Sequence, residues 1–439
     1  MWPQALTSAS AAPSVLRRPI QLCSILSISL RRGLYRVKIN VTNQSWRGGG
    51  PVSQWNADLS ALFAPFQLNG LILPNRFVMA PMTRSFSPGG VPPPATANYY
   101  RRRVEGEAGL IITEGVGVPH EAAIGYSGVD VLNIPSMYGH AALEAWRYVV
   151  DEVHAAGGLI ATQLWHQGGM RAHGTGAWPD AISMRPSGKW GPLARPTNVD
   201  QAYIDRVAAD TRPMTEEEIA DVIAAFARAA ANARDIGFDA IAIHGAHGYL
   251  LDCFLWAETN LRQDRWGGDI RRRSAFAVEL VKAIRREIGP IMPIILRVSQ
   301  WKQQDFGAKL GGTPDALGML LSPIADAGVD VFDVSERNFD TPAFTGSTMC
   351  LAGWVRSLTG RPTLAVGSVG LAKGLFESHE AGGASTVDNL GRLAERFANS
   401  EFDLVGIGRM MIVHADWVRR ARLGLPFSRY DMSMLAALD

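Results

Sequence analysis

Cysteine is scarce in this sequence of 439 residues, which contains only Cys23, Cys253 and Cys350 and no Cys-x-x-Cys pair. That scarcity argues against a disulfide-stapled fold, a cysteine-bound zinc site and an iron–sulfur cluster. Net charge is also small, at +2, so no nucleic-acid partner is indicated. The longest apolar-rich stretch, residues 20–30, is interrupted by serines and is too short to span a bilayer. Neither nucleic acid nor membrane is therefore an expected partner.

Acidic residues are absent before Asp58, although this part of the chain is rich in serine and arginine. Such a composition resembles a transit peptide, but we favour a disordered tail or an over-extended translation start. The predicted organisation is an N-terminal extension, residues 1–57, followed by one domain, residues 58–439. We expect a cytoplasmic location, with organelle import through residues 1–57 as the weaker alternative. The basic residues of the extension are Arg17, Arg18, Arg31, Arg32, Arg36, Lys38 and Arg47.

Short apolar runs recur at regular intervals after Asp58, and each is nearly continuous. Such runs are typical of parallel strands that are buried on both faces. The sequence therefore predicts eight strands. They are Phe77–Ala80, Gly109–Thr113, Leu159–Leu164, Ala240–His244, Ile294–Val298, Val331–Val334, Thr363–Val366 and Leu404–Ile407.

Amphipathic segments separate these strands, and the clearest covers residues 215–236. Thr215 and Glu218 form a capping-box pattern at its start, and Gly237 follows its end. Alternating strands and helices predict a single (β/α)8 TIM barrel of the α/β class, with a doubly wound sheet as the alternative. One connection, residues 167–213, is long, rich in Gly and Pro and poor in helical pattern. Loops of this kind are usually functional or mobile. The other predicted helices cover residues 138–156, 271–288, 314–327, 351–359 and 385–398.

In a (β/α)8 barrel the chemistry lies at the carboxyl ends of the strands. The seventh and eighth strands are followed by Ser368 and Gly370 and by Gly408 and Arg409. Loops at these two positions commonly bind phosphate, and an arginine there can grip the anion through two hydrogen bonds. The alternative is that the glycines only permit tight turns. We predict a phosphate site, and hence a phosphorylated cofactor or substrate.

His244, His247 and Tyr249 follow the fourth strand in close succession. Two histidines could bind a metal, but no third ligand stands nearby in sequence, so no metal is predicted. We favour a pair of hydrogen-bond donors to a substrate oxygen, with the phenol as proton source. Arg297 and Gln163 end two further strands, and a buried arginine there must meet negative charge. A flavin, a sugar or a nucleobase would each fit these two side chains.

These residues resemble the Old Yellow Enzyme family of FMN-dependent ene-reductases, also known as NADH:flavin oxidoreductases. The resemblance runs from Leu62 to about Arg422 and involves several independent motifs in the family's order. The motifs are Pro-Asn-Arg at 74–76, Met-Ala-Pro-Met-Thr-Arg at 79–84, Gln-Leu-Trp-His at 163–166, His-Gly-Ala-His-Gly-Tyr-Leu-Leu-Asp at 244–252, Asn-Leu-Arg-Gln-Asp-Arg-Trp-Gly-Gly at 260–268 and Gly-Arg at 408–409.

The resemblance implies a barrel with non-covalent FMN across its mouth and NADH or NADPH as the reductant. It implies that Thr83 contacts the flavin O4, and that Tyr249 protonates a small-molecule substrate whose oxygen His244 and His247 hold. The remaining implied cofactor contacts are Pro81, Met82, Gly115, Gln163 and Arg297 around the flavin ring, and Ser368, Gly370, Gly408 and Arg409 around its phosphate.

Residues 297–305 depart from the family pattern, because Ser299 is followed by Gln-Trp-Lys rather than the commoner proline. Such departures affect the expected substrate range rather than flavin binding. The predicted reaction is reduction of an activated C=C bond at the expense of NAD(P)H. One alternative is another reaction of the same flavin: demethylation, or nitro-ester or quinone reduction. A second is a non-redox, phosphate-binding barrel lyase or isomerase. The sequence leaves open the natural substrate and the choice between NADH and NADPH. It also leaves open the oligomeric state, and a homo-oligomer is possible.

Overall fold

Eight parallel strands close into a barrel in the computed structural model, which describes residues 57–127, 133–197 and 199–439. The strands of the described residues are β1 (Phe66–Leu68), β2 (Leu71–Leu73), β3 (Phe77–Met79), β4 (Leu110–Gly117), β5 (Ile160–Trp165), β6 (Ala240–His244), β7 (Ile294–Val298), β8 (Val331–Ser335), β9 (Thr363–Val366), β10 (Gly383–Ala384), β11 (Leu404–Ile407) and β12 (Tyr430–Asp431). Around the barrel the order is β11, β3, β4, β5, β6, β7, β8 and β9. The closed barrel confirms the predicted fold and excludes the doubly wound alternative.

Helices follow most barrel strands and cover the outside of the barrel. In the described residues they are α1 (Pro94–Glu105), α2 (His140–Ala155), α3 (Gln201–Val207), α4 (Glu216–Asp235), α5 (Leu250–Leu255), α6 (Ala275–Ile288), α7 (Pro314–Asp326), α8 (Leu351–Thr359), α9 (Leu375–Glu380), α10 (Leu390–Ala398), α11 (Arg409–Val413) and α12 (Trp417–Leu423). The predicted capping box is present at α4, where Thr215 and Glu218 exchange side-chain-to-backbone hydrogen bonds. Gly237 then ends the helix with a φ of +98°.

The amino end of the barrel is filled with apolar side chains. Leu68 and Leu73 of the β1–β2 hairpin pack in one cluster with Val78, Leu110 and Ala240, which lie near the starts of three barrel strands. Burying this apolar surface stabilises the barrel and closes this end to water. Polar side chains on the strands therefore collect at the opposite, carboxyl end.

The long connection over residues 167–213 is organised by two buried arginines. Arg171 donates to the carbonyl oxygens of Ala181 at 2.6 Å and Thr175 at 2.7 Å. Arg185 donates to the carbonyl of Val207, the last residue of α3, at 2.6 Å. These bonds satisfy backbone carbonyls that a loop of this length would otherwise leave without partners. The connection thus has internal structure that its Gly and Pro content did not predict.

The predicted extension, residues 1–57, lies outside the described residues apart from Ala57, so that interpretation stays a prediction. Across the residues that the structure does describe, no helix is both long enough and apolar enough to cross a membrane.

Candidate active site

The predicted strand-end residues meet at one end of the barrel because all the barrel strands are parallel. Gly115 on β4 lies opposite Gln163 on β5, and His244 on β6 lies opposite Arg297 on β7. Arg297 in turn lies opposite Asp333 on β8. The register therefore places the polar side chains of four successive strands, β5 to β8, side by side at the mouth, with Gly115 of β4 next to them.

His244, His247 and Tyr249 form a tight group of rings after β6. The ring centroid of His244 lies 5.1 Å from that of His247 and 4.8 Å from that of Tyr249. Trp165, the last residue of β5, packs edge-on against Tyr249 at 4.8 Å and stacks against His244 at 5.9 Å. Two successive left-handed residues, His247 with φ +65° and Gly248 with φ +82°, turn the chain sharply so that all three rings converge.

Both histidines are neutral near neutral pH. Burial holds the pKa of His244 well below its usual range, and the nearby Arg297 lowers it further. Burial likewise lowers the pKa of His247, with additional contributions from His244, Arg297 and Lys302. A neutral imidazole carries one N–H, so each ring can donate one hydrogen bond. His247 Nε2 lies 2.9 Å from Ser335 Oγ, which fixes the ring orientation.

Tyr249 is a protonated phenol over the whole physiological range. Burial raises its pKa to about 12, although hydrogen bonding by the side chains of Gln303 and Ser127 opposes this rise. A buried, neutral hydroxyl beside two neutral imidazoles can give up a proton only to a strongly basic centre. This property suits a proton donor to a carbanion-like atom.

The buried nitrogen atoms at the mouth that have no hydrogen-bond partner among the described residues include Gln163 Nε2, Arg297 Nη2 and His244 Nδ1. Buried polar atoms almost always have a partner, and each exception needs an explanation. All three are on side chains that the sequence assigned to cofactor or substrate. A polar ligand at the mouth would satisfy them.

Arg297 forms an ion pair with Asp333, a residue to which the sequence analysis assigned no role. Arg297 Nε donates to Asp333 Oδ2 at 2.7 Å, and both side chains are buried. The inference that this arginine needs a negatively charged ligand was therefore incomplete, because the protein supplies the counter-charge. An aspartate in the middle of the apolar strand β8 was the sequence signal that could have revealed this pair.

The residues predicted to bind phosphate converge around Arg409, the first residue of α11. Its Nη2 lies 3.4 Å from Ser368 Oγ and donates to the Lys373 carbonyl at 3.0 Å. Burial lowers its pKa to about 10, so it remains a cation. The Gly370 N–H is bonded to Asn389 Oδ1 at 2.8 Å, and Gly370 has a φ of +75°. The role of Gly370 is therefore to allow the turn after β9 through its positive φ.

The segment Pro81–Thr83 follows β3, next to the loop after β11. A Cβ on Gly408 would lie 3.6 Å from Met82 Sδ, so the two loops are close neighbours. Glu114, to which the sequence analysis assigned no role, anchors this segment. Its carboxylate accepts the N–H of Arg84 at 3.0 Å and of Ser85 at 3.4 Å. Burial raises the pKa of Glu114 to about 7.

Known proteins resemble this chain across the whole barrel. Residues 61–428 match a family model described as the NADH:flavin oxidoreductase / NADH oxidase family. The 12-oxophytodienoate reductase 2 of Arabidopsis thaliana is 31% identical over 379 residues, covering 86% of this chain and 92% of that protein. The 12-oxophytodienoate reductase 1 of Oryza sativa subsp. japonica is 32% identical over 381 residues, covering 86% and 90%.

Solved structures show the same resemblance. Morphinone reductase in complex with tetrahydroNAD superposes with a TM-score of 0.69 at 28% identity, covering 85% of this chain and 94% of its own. An old yellow enzyme homologue from Zymomonas mobilis has a TM-score of 0.68 at 24% identity, which supports the fold. The matched region contains every strand-end residue described above.

Proposed function

The chain belongs to the NADH:flavin oxidoreductase / NADH oxidase family, and on this premise we propose how its residues divide the reaction. It is an FMN-dependent oxidoreductase that takes hydride from NAD(P)H and reduces an activated C=C bond of an enone-like acceptor. The similarity to 12-oxophytodienoate reductases and to morphinone reductase supports the alkene as acceptor. The complex of morphinone reductase with tetrahydroNAD supports a nicotinamide dinucleotide as reductant.

The residues at the barrel mouth fit FMN. Gln163 Nε2 and Arg297 Nη2 are buried nitrogens in need of acceptors, and the edge of a flavin ring offers carbonyl oxygens and ring nitrogens. Arg409, a half-buried cation flanked by Ser368, fits the phosphate. When bound, FMN supplies the ring that carries hydride from the reductant to the acceptor. We assign Gln163 and Arg297 to the ring and Arg409 to the phosphate, with Pro81–Thr83 and Gly115 beside the ring.

His244 and His247 hold the acceptor through its electron-withdrawing oxygen. As hydride reaches the β-carbon, negative charge develops on the α-carbon and on this oxygen. Two neutral N–H donors in a buried site stabilise that charge without needing to reorganise. Because both imidazole pKa values are low, the histidines act as hydrogen-bond donors and keep their protons.

Tyr249 completes the reduction by giving its hydroxyl proton to the α-carbon. The balance is one hydride at the β-carbon and one proton at the α-carbon, and the phenolate then regains a proton from water. Gln303 and Ser127, whose hydrogen bonds lower the Tyr249 pKa, stabilise this transient phenolate. The convergence of the three rings of His244, His247 and Tyr249 within about 5 Å is the observation that carries the proposal.

Transient kinetics of the two half-reactions test this division of roles. Tyr249→Phe removes the acidic proton, so it should slow alkene reduction about 10²–10⁴-fold and leave reduction by NAD(P)H unchanged. His247→Ala should weaken binding of phenols, whose oxyanion resembles the charged acceptor. Tyr203→Phe is the matched control, since it removes another buried phenolic hydroxyl, one that donates its hydrogen bond to the Met170 carbonyl. Equal slowing of both half-reactions by Tyr249→Phe, or of neither, would remove Tyr249 from the mechanism.

We also propose a cytoplasmic location and a domain over residues 58–439 that functions without the extension. The few cysteines and the lack of a clear cleavage site after the apolar stretch 20–30 support this location. Fractionation of cells that express the full chain or the chain without residues 1–57 tests it. Organelle association of the full chain alone would instead assign residues 1–57 to targeting.

Light scattering on the purified chain would establish whether it forms a homo-oligomer.

A further inference from the structure

His247 adopts a backbone conformation that a side chain normally avoids. Its φ is +65°, and it is followed by Gly248 at φ +82°. Residues other than glycine occupy this left-handed region with strain, and they persist there only when their surroundings determine the conformation. The contacts around His247 should therefore show what holds it.

One segment, Ser299–Gln304, contacts His247 on its backbone and on its ring. The His247 N–H donates to Ser299 Oγ at 3.1 Å, and the Gln303 N–H donates to the His247 carbonyl at 3.3 Å. The Trp301 ring stacks on the imidazole, with the centroids 4.2 Å apart and the planes at 22°. We call this segment the clamp. It is part of the stretch that departs from the family pattern.

A buried ion pair holds the clamp in place. Lys302 Nζ lies 2.9 Å from Asp252 Oδ1, and neither side chain has any exposed surface. Lys302 also donates to the Ser299 carbonyl at 2.8 Å. The second oxygen of Asp252 accepts the N–H of Gly248 at 2.8 Å, so the pair joins the clamp to the left-handed turn itself.

We propose that Lys302 and Asp252 are positioning residues for the acceptor: through the clamp they keep His247 in its strained conformation, with its ring beside His244. This inference rests on the proposed function, in which His247 donates to the acceptor oxygen. A buried ion pair is seldom needed for stability, because apolar replacements of both partners are often as stable. Loss of both charges should therefore disturb His247 more than it disturbs the fold.

The test compares three variants with wild type. Lys302→Met/Asp252→Asn removes both charges and keeps an oxygen for the Gly248 N–H. Trp301→Leu removes the stacking and leaves the ion pair intact. Arg285→Met/Asp330→Asn is the control, because that ion pair, 2.6 Å apart, lies at the amino end of β8. The readouts are crystal structures, FMN content, and the dissociation constant of 4-hydroxybenzaldehyde measured from flavin absorbance.

Both clamp variants should retain FMN, bind the phenol on the order of tenfold more weakly and show His247 displaced from Ser335. The control should bind the phenol as wild type does. Because the clamp acts through one residue, combining either clamp variant with His247→Ala should cause no loss beyond that of His247→Ala alone. Should Lys302→Met/Asp252→Asn fail to fold, Lys302→Gln/Asp252→Asn, which also removes both charges, takes its place in the comparison.

Wild-type phenol affinity together with an unmoved His247 in the clamp variants would overturn the proposal. Losses that simply add to that of His247→Ala would also overturn it. Failure of the proposed function would look different, because wild type itself would bind no FMN or no phenol. In that event the position of His247 in the variant crystals alone decides whether the clamp positions it.

Discussion

Replacing Arg297 with methionine should destabilise the fold mainly because it leaves the buried Asp333 carboxylate without its counter-charge. In the folded protein the Asp333 side chain is 1% exposed and its partner 7% exposed, with 2.7 Å between Arg297 Nε and Asp333 Oδ2. Removing one member of such a pair leaves an uncompensated buried charge, which costs about 3–5 kcal/mol. Arg297→Met/Asp333→Asn removes both charges and should recover more than half of that loss.

The loss should also depend on pH. Burial raises the pKa of Asp333, and Arg297 lowers it, so the pKa rises further when the arginine is removed. A carboxyl whose folded-state pKa is raised keeps its proton in the folded chain when the unfolded chain has lost it. Stability contributed in this way is present at low pH and is lost as pH rises through the folded-state pKa. The defect of Arg297→Met should therefore grow as pH rises.

Urea unfolding of the FMN-free variants, at about pH 5 and about pH 8, measures both effects. A loss below about 1 kcal/mol at the higher pH would refute the reasoning, as would a double variant no more stable than the single one. FMN retention separates binding from stability. Both variants lack Arg297 Nη2, so both should hold FMN more weakly than wild type even where the double variant regains stability.

Three further expectations concern the cofactor, the extension and Glu114. Arg409→Ala should weaken FMN retention, because a charge-assisted contact to phosphate is worth roughly 1.5–3 kcal/mol; unchanged retention in equilibrium dialysis would contradict this. Deleting residues 1–57 should leave the melting temperature and FMN content unchanged, and a marked fall in either would show that the extension packs on the barrel. Burial raises the pKa of Glu114 from 4.5 to about 7, so wild type should lose stability relative to Glu114→Gln as pH rises across that interval. Parallel stability curves for the two proteins would count against it.

Much of the barrel could be predicted from the sequence because its strands are buried on both faces. Ala240–His244 and Ile294–Val298 have the predicted bounds, since each is a short apolar run between polar segments. By contrast, β4 continues to Gly117, past the point at Thr113 where polar residues suggested an end. The register of β4 against β5 shifts between Ile112 and Gly115, and such an irregularity cannot be recognised from apolar pattern alone.

The sequence did not predict α5 or the β1–β2 hairpin, because neither shows a periodic alternation of apolar and polar residues. Every residue of α5, Leu250–Leu255, is buried, so no alternation of apolar and polar residues marks it as a helix. The β1–β2 hairpin consists of two strands of three residues, which are too short to show a period. Both elements owe their structure to tertiary packing rather than to local sequence.

At the site, sequence reasoning found the side chains at strand ends and missed those that support them. His244 and Arg297 could be assigned because the topology brings strand ends together. Asp333, Lys302 and Trp301 act through contacts between different loops and strands, and these depend on register and on the path of the chain. The departure from the family pattern after Ser299 was visible in the sequence, but its contact with His247 was not.

We conclude that this chain passes hydride from NAD(P)H to an activated alkene through FMN at the barrel mouth. The most direct measurement is anaerobic stopped-flow absorbance of the purified FMN-bound protein, first mixed with one equivalent of NADH or NADPH and then with 2-cyclohexenone. We expect the flavin band to bleach in the first step and to recover in the second, with one equivalent of cyclohexanone formed per flavin. Bleaching followed by no recovery with cyclohexenone or any other activated alkene, or a protein that takes up no FMN, would contradict it.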